Sequence, residues 1–359
     1  MIKIYKKHLF GVFTKSVLEI SGIFFSLIFI LGFLEEVNFF KDTDVSIFQI
    51  MFLTVLNAPS LFFEIFPFIF LIATQLFFIK LFTGDELLTF NKFGINNFKI
   101  LQIVSSTSFV FGLIIVLFFY NFSAKLKFTY LELKNGYSSD NKYLAVVTSN
   151  GLWIKDEINN VISYINSDTM DGNYLINVSI TQFDKNFNLV QNILSDKVNI
   201  KEKEWVMLNA RVSKIDQVTK NYSKFNFLSN FNKEKINSLF SNLSSLTIWE
   251  LYKTKKDYKN LGYSTSKIDI HNKRIYSFPI YLTLMTILSC IIMLNIKKNY
   301  PTLPNIVLGI LVSVIIYYFN YFFSLLGEKE KIPLDLSIWS PLLILFLICS
   351  IGMVRLNEK

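Results

Sequence analysis

Six runs of apolar residues, each close to or above the roughly 20 residues that cross a bilayer as a helix, constrain this 359-residue chain before any motif is considered. Inside hydrocarbon every backbone N–H and C=O must be bonded within the protein, so each run reads as a membrane-crossing helix. We place the spans at 13–34, 60–82, 100–120, 276–296, 305–326 and 338–354. The second run begins at Ile47, and Pro59 and Pro67 punctuate it. An interfacial segment ending at Pro59 is therefore predicted ahead of span 2. The first run follows Lys3, Lys6 and Lys7, as in a signal peptide, but no small-residue cleavage site comes after it. It reads as an uncleaved span.

The net charge of +9 comes from 36 Lys and Arg against 27 Asp and Glu. In a membrane chain that excess is first a topology signal. Lys3, Lys6, Lys7, Lys80, Lys92, Lys99, Lys297, Lys298, Arg355 and Lys359 all fall on one side of the six spans, whereas Glu35, Glu36, Asp42, Asp44, Glu328 and Glu330 fall on the other. Both termini are predicted to be cytoplasmic, and the long insert between spans 3 and 4 to lie outside.

That insert, residues 121–270, separates a membrane part at 1–120 from another at 271–359. It is polar and rich in Asn, Asp and Ser, with short strand patterns at 144–147, 152–154, 161–165, 174–183, 189–194 and 205–212. In 174–183, Leu175, Asn177, Ser179 and Thr181 alternate with Ile176, Val178 and Ile180. Short strands about ten residues apart indicate a sandwich or jelly roll. Thr247 and Glu250 in TIWE form a capping-box pattern, and Gly262 would stop the helix they start.

Between spans 2 and 3 sits TGDELLTFNKFGINNFKI, residues 83–100. Gly84 and Asp85 offer cap chemistry, Leu87, Leu88 and Phe90 offer an apolar face, and Gly94 a stop. A short amphipathic helix is predicted over about 84–97, shaped for a partner on the cytoplasmic side.

Catalytic chemistry is not evident. No phosphate-binding loop, GxSxG or HExxH pattern occurs. Cys290 and Cys349 lie in apolar runs, and His8 and His271 are far apart, so neither a disulfide, a metal site nor a His-based triad is predicted. Glu19 and Glu64 are the clear carboxylates within spans. Any energy source is expected in a partner, with no cofactor in this chain.

Several stretches together resemble the lipopolysaccharide-export permease family, LptF/LptG. They are Pro59 through Glu64-Ile-Phe-Pro67 leading into span 2, GDELLTFNKFG at 84–94, GLWIKD at 151–156, Glu204-Trp205-Val-Met-Leu208, and LTIWELYKTKKDYKNLGYST followed by Lys273 and Pro279. FLEEV at 33–37 leans toward the LptG side of the family. The resemblance implies an α-helical integral membrane protein with six transmembrane helices and a periplasmic β-jelly-roll domain between helices 3 and 4. It also implies an LptF-like sister permease as heterodimer partner, an LptB ATPase dimer holding ATP and magnesium, LptC and LptA as the bridge, and lipopolysaccharide as substrate in a Gram-negative inner membrane.

By that resemblance Asp85, Glu86, Leu87, Lys92 and Gly94 belong to the ATPase-coupling helix, with Glu86 set against the ATPase groove. Asn91 stands where many relatives carry Arg, and Gly32 where some carry Lys. Lys41, Lys273 and Arg274 are candidates for lipid phosphate. A receptor or scaffold with an outer ligand-binding domain is the alternative class. A membrane enzyme would need an acid, base and nucleophile cluster that the insert does not show.

Overall fold

The computed structural model describes residues 4–41, 45–137, 152–158, 161–171, 173–214, 218–233, 236, 242–260, 264–295 and 303–357. It divides into two compact units, 1–127 with 266–359, and 128–265. Among the described residues six helices are long and apolar enough to cross a membrane.

In the first unit α1 spans Ile4–Phe39 and α2 Ile47–Thr83. Ser46 and Gln49 close a capping box at the start of α2. The expected break at Pro59 does not occur, and α2 runs unbroken through both prolines, which are buried. Each proline removes one helical hydrogen bond, but a helix packed by its neighbours costs less than unpaired backbone in hydrocarbon. After the short helix α3, Glu86–Lys92, comes α4, Asn97–Ile114. It continues through a π-helical turn at Ile115–Tyr120 into α5, Asn121–Tyr137. The third span is therefore longer than its apolar run. Asn121 Nδ2 donates to Leu117 O at 2.9 Å and Ser123 Oγ to Tyr120 O at 2.9 Å, serving carbonyls around the widened turn.

The last three spans are α7, Ser266–Leu294, α8, Leu303–Glu328, and α9, Leu334–Asn357. Helices α2 and α7 are central, with 61% of their most apolar windows buried, against 11% for α1 and α8. Small and hydroxylated residues set the contacts, as expected where neighbours gain nothing from leaving lipid. Thr286 Oγ1 donates to Ser108 Oγ at 2.8 Å, and Ser289 Oγ to Leu71 O at 2.7 Å. Gly112 lies so close to Pro279 that a Cβ there would come within 2.7 Å of the proline Cα. Both cysteines are buried free thiols.

The second unit holds one antiparallel sheet whose described strands are ordered as in the sequence: β1 Leu152–Ile158, β2 Val161–Asp171, β3 Tyr174–Phe183, β4 Leu189–Asn199, β5 Glu204–Lys214 and β6 Lys220–Leu228. The predicted strand at 144–147 and the stop at Gly262 fall outside the described residues, and β6 was not predicted. A ladder of Ile154, Ile165, Ile180, Ile193 and Val212 crosses five strands on the core face.

The clean alternation expected in β3 breaks at Asn177. Leu175, Val178 and Ile180 are all buried, because Asn177 takes a left-handed backbone (φ 53) and shifts the phase by one residue. Asn209 in β5 does the same (φ 54), so Met207 and Ala210 share the core. Asn177 Nδ2 donates to Asp168 Oδ2 at 2.8 Å across the β2–β3 pair. Asn tolerates the left-handed region better than branched residues.

The first and last strands are also tied together. Asp156 on β1, buried on the core face, accepts from Ser229 Oγ at 2.8 Å, Asn230 N at 2.9 Å and Asn230 Nδ2 at 2.9 Å, just beyond β6. Trp205 Nε1 donates to Phe231 O at 2.7 Å. Two stretches that carried the family resemblance, GLWIKD and the Trp205 strand, thus supply the pins that roll the sheet around its core. The next helix, α6, Ile248–Asn260, begins with the predicted capping box: Thr247 N donates to Glu250 Oε2 at 2.7 Å.

Candidate functional site: the turn between the second and third spans

Helix α2 ends at Thr83, and the Gly84 N–H bonds back to Lys80 O at 3.1 Å. Asp85 then reverses the chain in a left-handed conformation (φ 51). The expected Asp85 carboxylate cap is therefore absent: a capping side chain reaches back from extended backbone, and Asp85 makes no side-chain cap bond. Helix α3 is seven residues long. Gly94 ends it as predicted, with φ +74. The bonds Ile95 N to Phe90 O (2.9 Å) and Gly94 N to Asn91 O (3.1 Å) form a Schellman motif. Asn96 then caps α4 by accepting from Lys99 N at 3.1 Å, while Lys99 Nζ donates to Gly94 O at 3.1 Å. The segment is thus bounded by hydrogen-bonded turns at both ends.

Its two faces differ. On the inner face Glu86 Oε2 lies 2.7 Å from His8 Nε2 on α1, and the His8 ring lies 6.4 Å from that of Phe90. Leu87 and Phe90 are half-buried. The outer face keeps Leu88, Lys92 and Phe93 in the open, and Phe93 is 81% exposed. Behind the helix a cleft of about 230 Å³ is lined by Asn91, Asn96, Asn97, Phe98, Leu101, Leu294, Met353 and Leu356. The sequence did not announce His8 as the partner of Glu86, since 78 residues separate them. Nor did it pair Glu19 with Lys80, whose Nζ donates to Glu19 Oε2 at 2.6 Å and ties α1 to the end of α2.

Lys273 is engaged by the Asp335 carboxylate, whereas Lys41 and Arg274 are exposed. Glu64, on the exposed side of α2, is near enough to Lys127 and Tyr317 to act on both electrostatically. No group of His, Cys, Asp and Glu that could hold a metal occurs among the described residues.

Six apolar helices, a β domain inserted between the third and fourth, and a short helix at the turn after the second define a multi-pass membrane protein. No curated relative matches the sequence. The family model of the lipopolysaccharide export system permease LptF/LptG, however, matches residues 7–355, and the chain belongs to that family. It is a permease of lipopolysaccharide export and a multi-pass protein of the inner membrane.

Proposed function

We propose that this chain is one permease half of an ABC exporter that draws lipopolysaccharide out of the inner membrane, with α3 as the lever a separate cytoplasmic ATPase pushes. The observation that carries this is the outer face of α3. Leu88 on the helix and Phe93 at its C-cap are exposed, apolar surface that a docked partner would cover. Asp85, Glu86, Leu87, Lys92 and Gly94 form the coupling element; Gly94 and Asp85 shape it, and Glu86 and Lys92 supply opposite charges at its two ends. ATP and magnesium belong to an LptB-type dimer.

The sparsely buried apolar faces of α1 and α8 suit an LptF-like sister permease, leaving an apolar cavity open to the leaflet for the acyl chains. The β domain, placed in the periplasm by the charge pattern of the loops, would hand the lipid to LptC and LptA. Arg274 and Lys41 would meet its phosphates, with Lys273 held back by Asp335. The LptG side of the family is favoured by FLEEV.

Purification from the native membrane in mild detergent tests the reading. Wild type is expected to bring down an ATPase, a second six-span permease and lipopolysaccharide, and Glu86→Ala to lose most of the ATPase. A wild-type chain that carries no ATPase would overturn it and leave the receptor class in its place.

A further inference from the structure

Helix α6 carries a feature that transport through the spans does not use. Successive helical residues turn by about 100°, so its 13 positions sort cleanly into faces. Leu251, Thr254 and Tyr258 point inward: the first two are buried and Tyr258 packs on the sheet core. The opposite arc holds Trp249, Tyr252, Lys253, Lys256 and Lys259, all exposed, with Trp249 at 83% and Tyr252 at 68%. The acidic residues lie off this arc. Glu250 is occupied by the Thr247 cap, and Asp257 sits on the flank. The outward face therefore combines two amphipathic aromatics with three ammonium groups and no carboxylate.

From the geometry we infer that this face of α6 docks on the membrane surface, on anionic phospholipid headgroups of the outer leaflet. Three observations favour that occupant over a protein. Trp and Tyr are the side chains that settle at the headgroup level, with the ring in the apolar boundary and the N–H or O–H in water. Lysines interleaved with them match lipid phosphates in charge, whereas the cores of protein interfaces are depleted of Lys. Finally, only five residues separate Asn260 from Ser266, where the fourth membrane helix starts, so the bilayer is always within reach of α6. The contact would anchor the β domain to the bilayer, independently of which lipid is exported and of the ATPase.

The test uses the full chain in nanodiscs whose lipids carry bromine high on the acyl chain, with and without anionic phosphatidylglycerol. The fluorescence of Trp249 is isolated as wild type minus Trp249→Phe. With the anionic lipid present, that component should be quenched by the lipid bromine and shielded from aqueous iodide. Removing the anionic lipid, or the triple change Lys253→Glu, Lys256→Glu and Lys259→Glu, should cut the bromine quenching about twofold or more. A Trp249 component that iodide reaches equally in nanodiscs and in detergent, and that lipid bromine leaves alone, would overturn the inference. So would shielding that arises only when a partner protein is added. Loss of the ATPase in the earlier purification leaves this readout unaffected, so the two ideas fail separately.

Discussion

Single residues decide which side chains of a strand face the core. Asn177 and Asn209 sit left-handed within strands, and each moves the core face by one residue. A β-branched side chain in that region costs about 1–2 kcal/mol, whereas glycine does not resist it. Asn177→Val is therefore expected to lower the thermal midpoint of the β domain, with Asn177→Gly near neutral, as calorimetry of the purified chain would show. The β3–β4 turn carries a pH signature. The Asn188 N–H, together with the Asn188 side chain and the Asn186 N–H, holds the Asp184 carboxyl below its ordinary value of 3.8. A depressed folded-state value stabilises above the unfolded one and is lost as pH falls through the folded one. Amide protection in this turn, measured against the intrinsic exchange rate at each pH, should thus fall below about pH 3.8, and Asp184→Asn should remove the dependence. These asparagines also mark where sequence reading stopped. Tyr174–Phe183 looks like uninterrupted alternation, and only the burial pattern shows that Leu175 and Val178 face the same way.

Elements were legible where one strong local rule governs them. All six spans follow from apolar length, the α6 start from Thr247 and Glu250, and the α3 stop from Gly94. The failures came from competition between rules. Proline predicted a break in the second run, but burial on several sides kept α2 whole. Polarity predicted that the third span ends at Tyr120, yet the helix continues to Tyr137 through a π turn relieved by Asn121 and Ser123. The contacts that fix α3 were invisible because they join distant segments. The His8–Glu86 pair is partly solvated, so it contributes at most about 1 kcal/mol to folding. His8→Ala should leave the protein extractable and folded while α3 exchanges its amides faster, measured by hydrogen exchange over residues 86–92. Unchanged exchange there would mean that α3 is held by its ends alone.

At the scale of the whole molecule, the two units do different physical work. The membrane unit buries α2 and α7 and leaves the apolar faces of α1 and α8 uncovered within this chain. The β unit has its own core and its own closure through Asp156 and Trp205. In the proposed cycle, the helix between the second and third spans is the link between ATP hydrolysis in a partner and lipid movement in this chain.

The most direct measurement places a photo-crosslinking phenylalanine analogue at Phe93, which is 81% exposed. After irradiation of native membranes, the account predicts a covalent adduct between this chain and a cytoplasmic ATPase, lost on Glu86→Ala. Labelling of lipid alone, or an adduct with a protein that binds no nucleotide, would contradict it.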